Sequence, residues 1–73
     1  MAPYYGYATG KKRNHFGLNY NAYGIIVFTE KKDAEDELKG ILDNSSGLEG
    51  FVIDLSPLIQ NGFILKEKLH LID

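Results

Sequence analysis

The chain has 73 residues, two prolines and no cysteine; 44% of its residues are hydrophobic, 25% are charged, and the formal net charge is −2. That length allows one domain, residues 1–73, with a modest core, and the missing cysteines exclude a disulfide framework and leave His15 and His70 too few for a zinc site. The composition excludes a disordered chain, no apolar run reaches the length of a membrane span, and the opening Met1-Ala2-Pro3-Tyr4-Tyr5 lacks the regions of a secretion signal, so a cytoplasmic protein without membrane contact is expected.

The charge is unevenly spread. Residues 1–29 hold Lys11, Lys12 and Arg13 and no acid, whereas residues 30–73 hold all ten acids against five lysines. Such a split marks either a basic contact surface or a hairpin tip.

In chain order, Tyr4 to Thr9 is tyrosine-rich and weakly alternating, which predicts a strand. Gly10 to Asn14 reads as a polar, glycine-led turn, and His15 to Asn21 as a return strand or an ordered loop. Gly24 to Thr29 is apolar on both faces, the pattern of a central strand covered on both sides. Glu30 to Asn44 predicts an amphipathic helix, with Thr29 as N-cap and an apolar stripe of Ala34, Leu38, Ile41 and Leu42. Gly40 within it costs about 1 kcal/mol relative to alanine. Phe51 to Leu55 alternates with Phe51, Ile53 and Leu55 inward, and Phe63 to Ile72 is read as a further strand in preference to a helix through Leu65, Leu69 and Ile72. Between them, Asn61-Gly62 signals a hairpin, in which a bulge at Ser56-Pro57 would pair Leu55 with Leu69 and Ile53 with Leu71. The competing reading is a short helical turn capped by Ser56, with Pro57 first and Gly62 as the stop.

The expected fold is therefore α+β: a small antiparallel sheet of three to five strands with one amphipathic helix on one face, in the order β-β-β-α-β-β. One helix covers one face only. The tyrosine-rich segment or a second copy of the chain would have to cover the other, so a homodimer is expected.

No stretch carries recognisable catalytic chemistry. Gly6 to Lys12 imitates a phosphate loop but misplaces its second glycine and has lysine where the magnesium ligand belongs. No cofactor, metal or enzymatic activity is expected. The stretch from Tyr4 to Tyr23 mixes aromatic and basic residues, and a partner would meet it at Tyr5, Tyr7, Lys11, Lys12, Arg13, His15, Phe16 and Tyr20. Aromatic and arginine anchors dominate protein interfaces. Aromatics beside cations also bind single-stranded nucleic acid, although the acidic remainder would repel it.

The Tyr4-Tyr5 opening, the Gly10-Lys11-Lys12 turn and the run from Phe28 to Glu35 resemble the small N-terminal domain of some ribonucleases H, which holds RNA–DNA hybrids. That family places a helix between its second and third strands. Residues 19–23 leave no room for one, and the aromatic platform does not align residue by residue. Size points to a non-enzymatic protein–protein interaction module, a small regulator or inhibitor of the kind carried by phages and mobile elements. Nucleic-acid binding through residues 4–23 is the alternative.

Overall fold

The computed structural model describes residues 3–11 and 14–72. Tyrosine alternating with small residues gives the first strand, β1 (Tyr5–Lys11), which turns back antiparallel into β2 (Asn14–Leu18). A two-residue strand, β3 (Tyr20–Asn21), precedes β4 (Gly24–Phe28). The main helix α1 (Lys31–Asp43) leads to β5 (Leu48–Asp54), the short helix α2 (Ser56–Gln60), one 3-10 turn and β6 (Leu69–Ile72). The α+β architecture matches the expectation, with six strands rather than three to five. The extra strand arises because residues 14–21 break into two pieces at Asn19.

That break organises the sheet. β1 and β4 pair antiparallel at one end, where Tyr5 meets Phe28, and then diverge. Residues 14–21 fill the gap as a V whose two arms pair with β1 and with β4. Asn19 sits at the apex. Its backbone N–H donates to the Tyr7 carbonyl (3.0 Å) and its carbonyl accepts from the Ile26 N–H (2.9 Å), so it extends both ladders. Its side-chain amide also donates to the Tyr7 hydroxyl (2.9 Å). The outer strands are β5, paired with the far edge of β1, and β6, paired with the far edge of β4.

The core on the helix side is built from Tyr7, Phe28, Ala34 and Leu38, flanked by Ile26, Ile41, Leu42 and Val52. The predicted stripe on α1 is therefore the buried one. The helix begins one residue later than expected, at Lys31; Glu30 rather than Thr29 holds the N-cap position, with no side-chain cap. On β5, Leu55 is buried and Asp54 exposed as expected, but Phe51 and Val52 differ from the expectation. Val52 points to the helix, while Phe51 is 48% exposed on the other face. Gly50 explains how the helix comes so near this strand: a Cβ there would lie 2.8 Å from both the Leu38 Cδ1 and the Ala8 carbonyl oxygen.

The bulged hairpin between β5 and the last strand does not form. Its competitor does, as α2, with Pro57 in the first turn. The Ser56 N–H donates to Asp54 Oδ1, and Ser56 Oγ accepts from the Tyr4 N–H, so Ser56 ties the turn to the N-terminal segment rather than capping it. Gly62 then supplies the left-handed conformation (φ 78°) that ends the turn. Once the chain has coiled here it cannot return along β5. It crosses instead to the far edge of β4, and β6 runs parallel to it, with Leu69 opposite Ile25 and Ile72 opposite Phe28. Residues 63–68 are thereby spent on the crossing, so only Leu69–Ile72 of the predicted strand is extended into the sheet.

Both crossovers, β4-α1-β5 and β5-α2-β6, join parallel strands and travel in opposite directions across the sheet. Right-handed connections then place α1 and α2 on opposite faces. Leu55 agrees: it is fully buried, on the face of Gly6 away from α1, and Val27 on that face is fully buried too. Each such burial contributes about 1.5–3 kcal/mol. The chain thus covers part of its own second face, which the sequence had assigned to tyrosines or to a second copy.

Replacing Asn19 by alanine strands the buried Tyr7 hydroxyl and should cost about 1–3 kcal/mol in urea unfolding. Adding Tyr7→Phe should recover part of that loss, because the unpaired hydroxyl is then gone. Purely additive losses would show that the side-chain bond carries no coupling.

Candidate functional site

On the face away from α1, β1 presents only Gly6, Ala8 and Gly10, since alternate residues of a strand share a face. Its neighbours on that face are large. Phe51 of β5 and Leu18 of β2 both register against Ala8. β2 and β5 lie on either side of β1, so their backbones are separated by about 10 Å. The rings of Phe16 and Phe51 nevertheless have centroids only 5.3 Å apart, tilted by 51°. Both side chains therefore lean over β1 and meet above its small residues, leaving Ala8 only 3% exposed. Tilted aromatic pairs at this separation are favourable by about 0.5–1.5 kcal/mol beyond burial.

A bulge aims one of the two rings. Thr9 pairs with Gly17 and Lys11 with Asn14, so His15 and Phe16 together oppose Gly10. His15 takes the left-handed conformation (φ 41°), as the first residue of such a bulge does. Each ring keeps much of its surface in solvent, 39% for Phe16 and 48% for Phe51. Tyr20, 77% exposed, extends the same face from β3, where it pairs with Ile25, and Leu71 reaches it from β6 opposite Val27.

The residues expected to form one contact surface are thus divided. Tyr7 is core, 1% exposed, and unavailable to a partner; Tyr5 is half-buried and packs against the same core. Lys11 is exposed, but strand alternation puts it on the face of Tyr7. His15, Phe16 and Tyr20 are exposed. Lys12 and Arg13 lie outside the described residues. Phe51, which the sequence reading had turned inward, joins Phe16. Only the pairing of β5 with β1 brings these two together across 35 positions of chain. Its neighbour on that face is an acid, Glu49, opposite Gly10. Elsewhere, Tyr23 stacks on His70 with centroids 5.3 Å apart.

Among the described residues, no group of three or more histidine, aspartate or glutamate side chains is placed to hold a metal ion. No helix among them is long and apolar enough to cross a membrane. Of the stretch that imitates a phosphate loop, Gly6 to Lys11 lie in β1, and the next described element is the strand β2. Against protein-family profiles, curated proteins and solved structures, the chain finds no match.

Burial raises the pKa of Tyr7; the Asn19 hydrogen bond pulls it partly back, and the Glu37 carboxylate pushes it up again. The folded state then holds this proton more tightly than the unfolded chain. The resulting stability is complete below the ordinary tyrosine value of about 10 and is lost as pH rises through the folded value. Urea unfolding measured at rising alkaline pH should therefore show a steeper loss of stability for the native chain than for Tyr7→Phe. Equal slopes would remove Tyr7 as the cause.

Proposed function

We propose that the protein is a non-enzymatic protein-binding module, a small regulator or inhibitor, whose docking face is the side of the sheet away from α1. The observation that carries this reading is the exposed Phe16–Phe51 pair, extended by Tyr20 on the same face. Rings held by strands on a rigid sheet lose little conformational freedom on binding, which is how aromatic anchors contribute disproportionately to affinity. The partner that fits is a folded protein with an apolar contact patch. A phosphate backbone fits less well, because Glu49 lies beside the rings and Lys11 is on the opposite face. The free face serves the regulator without any chemistry of its own.

The test is affinity capture of the tagged chain from a bacterial lysate, with and without nuclease. One stoichiometric protein should survive nuclease, be lost with Phe16→Asp/Tyr20→Asp, and be retained with Lys11→Glu/Lys12→Glu. For a purified partner, Phe16→Ala alone should weaken binding by at least about fivefold. Capture that vanishes with nuclease and with the lysine variants, but not with the aromatic ones, would replace this reading with nucleic-acid binding through residues 4–23.

A further inference from the structure

The edge of β5 is a second surface, adjoining the docking face at Phe51. Among the described residues this strand pairs only with β1. Natural edge strands are usually blunted by lysine, proline or a bulge. Gly50 to Ile53 carry none of these, and no charge.

The unpaired backbone groups can be located. The Leu55 N–H donates to the Tyr4 carbonyl at 2.7 Å, one step beyond the Tyr5–Asp54 pair. Hydrogen-bonded residues alternate along an antiparallel ladder, so Ile53, Phe51 and Glu49 bond to β1. Leu48, Gly50, Val52 and Asp54 then turn their N–H and C=O groups outward.

A groove runs beside this edge, between β5 and α1. Its floor is Leu38, Leu42 and Val52. The helix side is lined by Lys31, Glu35, Lys39 and Asp43, one exposed row at four-residue spacing with alternating sign.

We propose that a second copy of this chain occupies the edge, joining β5 to β5 antiparallel about a two-fold axis at Phe51. Two features of the chain, one on the strand and one on the helix, specify that axis independently. On the strand, a dyad at Phe51 sets Gly50 opposite Val52 and Leu48 opposite Asp54, and these are the residues with outward-facing backbone groups. Glu49 meets Ile53, so no two acids face each other. On the helix, a dyad at residue 37, the midpoint of the charged row, sets Lys31 opposite Asp43 and Glu35 opposite Lys39. Every facing pair has opposite sign. The two centres lie close together, because Leu38, next to residue 37, packs over Gly50, next to Phe51. An isologous interface requires this self-complementarity. The join would also set Phe51 against Phe51, merging the two Phe16–Phe51 pairs into one aromatic patch. The edge does not depend on the proposed docking face, and the helix charges lie on the opposite side from Phe16 and Tyr20.

The experiment uses charge sorting. One variant carries Lys31→Glu/Lys39→Glu and the other Glu35→Lys/Asp43→Lys, giving an all-acidic and an all-basic row. In sedimentation equilibrium the native chain should weigh twice 8.2 kDa. Each variant alone, shown folded by circular dichroism, should self-associate at least about tenfold more weakly, and an equimolar mixture should recover a two-copy species. Without any substitution, the Gly50 and Val52 amides should exchange slowly with deuterium at high protein concentration and rapidly on dilution. A native chain monomeric at hundreds of micromolar, fast exchange of those amides at every concentration, or variants that dimerise alone as well as mixed would overturn the proposal.

Discussion

Asn19 is the constraint on which the sheet depends. Two strands that pair at one end and diverge at the other leave unsatisfied backbone groups along the gap, and each such group costs free energy if buried. The V of residues 14–21 fills the gap, and Asn19 alone belongs to both ladders. Its side chain adds the bond that lets Tyr7, the largest fully buried residue, keep its hydroxyl inside. One residue thereby couples the backbone of the sheet to the core beneath it.

The fork distributes the faces. Because β1 runs centrally with glycine and alanine on one side, large residues from its neighbours can close over it. The side under α1 is a conventional core. The other side is shared: Leu55 and Val27 have no solvent exposure, while Phe16, Phe51 and Tyr20 are left in solvent. A small domain buries a limited fraction of its surface, and here the shortage falls on one aromatic end of one face.

Edges follow from the same arrangement. A strand order that starts with β5 and ends with β6 has two free sides. The β5 side is longer, lacks the usual blunting residues, and borders a helix whose charges alternate. The aromatic face and this edge meet at Phe51, whose side chain belongs to one and whose position on the strand centres the other. Pairing through the edge would place two aromatic faces side by side, and if those faces dock a partner as proposed, two linked sites gain apparent affinity without new contacts.

The sequence alone was sufficient for the parts governed by local periodicity. The stripe of Ala34, Leu38, Ile41 and Leu42 made the helix legible, the run from Gly24 to Phe28 made the central strand legible, and Pro57 with Gly62 offered the short helix as one of two alternatives. The aromatic members Phe16 and Tyr20 were also visible as candidates. Tyr7 was not distinguishable from them, because alternation tells which residues share a face and not which face will be covered. Phe51 could not be joined to Phe16, nor β6 to β4, because both pairings depend on strand order. Strand order is set by how the whole chain satisfies its backbone groups and crosses its sheet. No local pattern records that choice, since the contacting residues are far apart in the chain and meet only after the sheet has closed around Asn19.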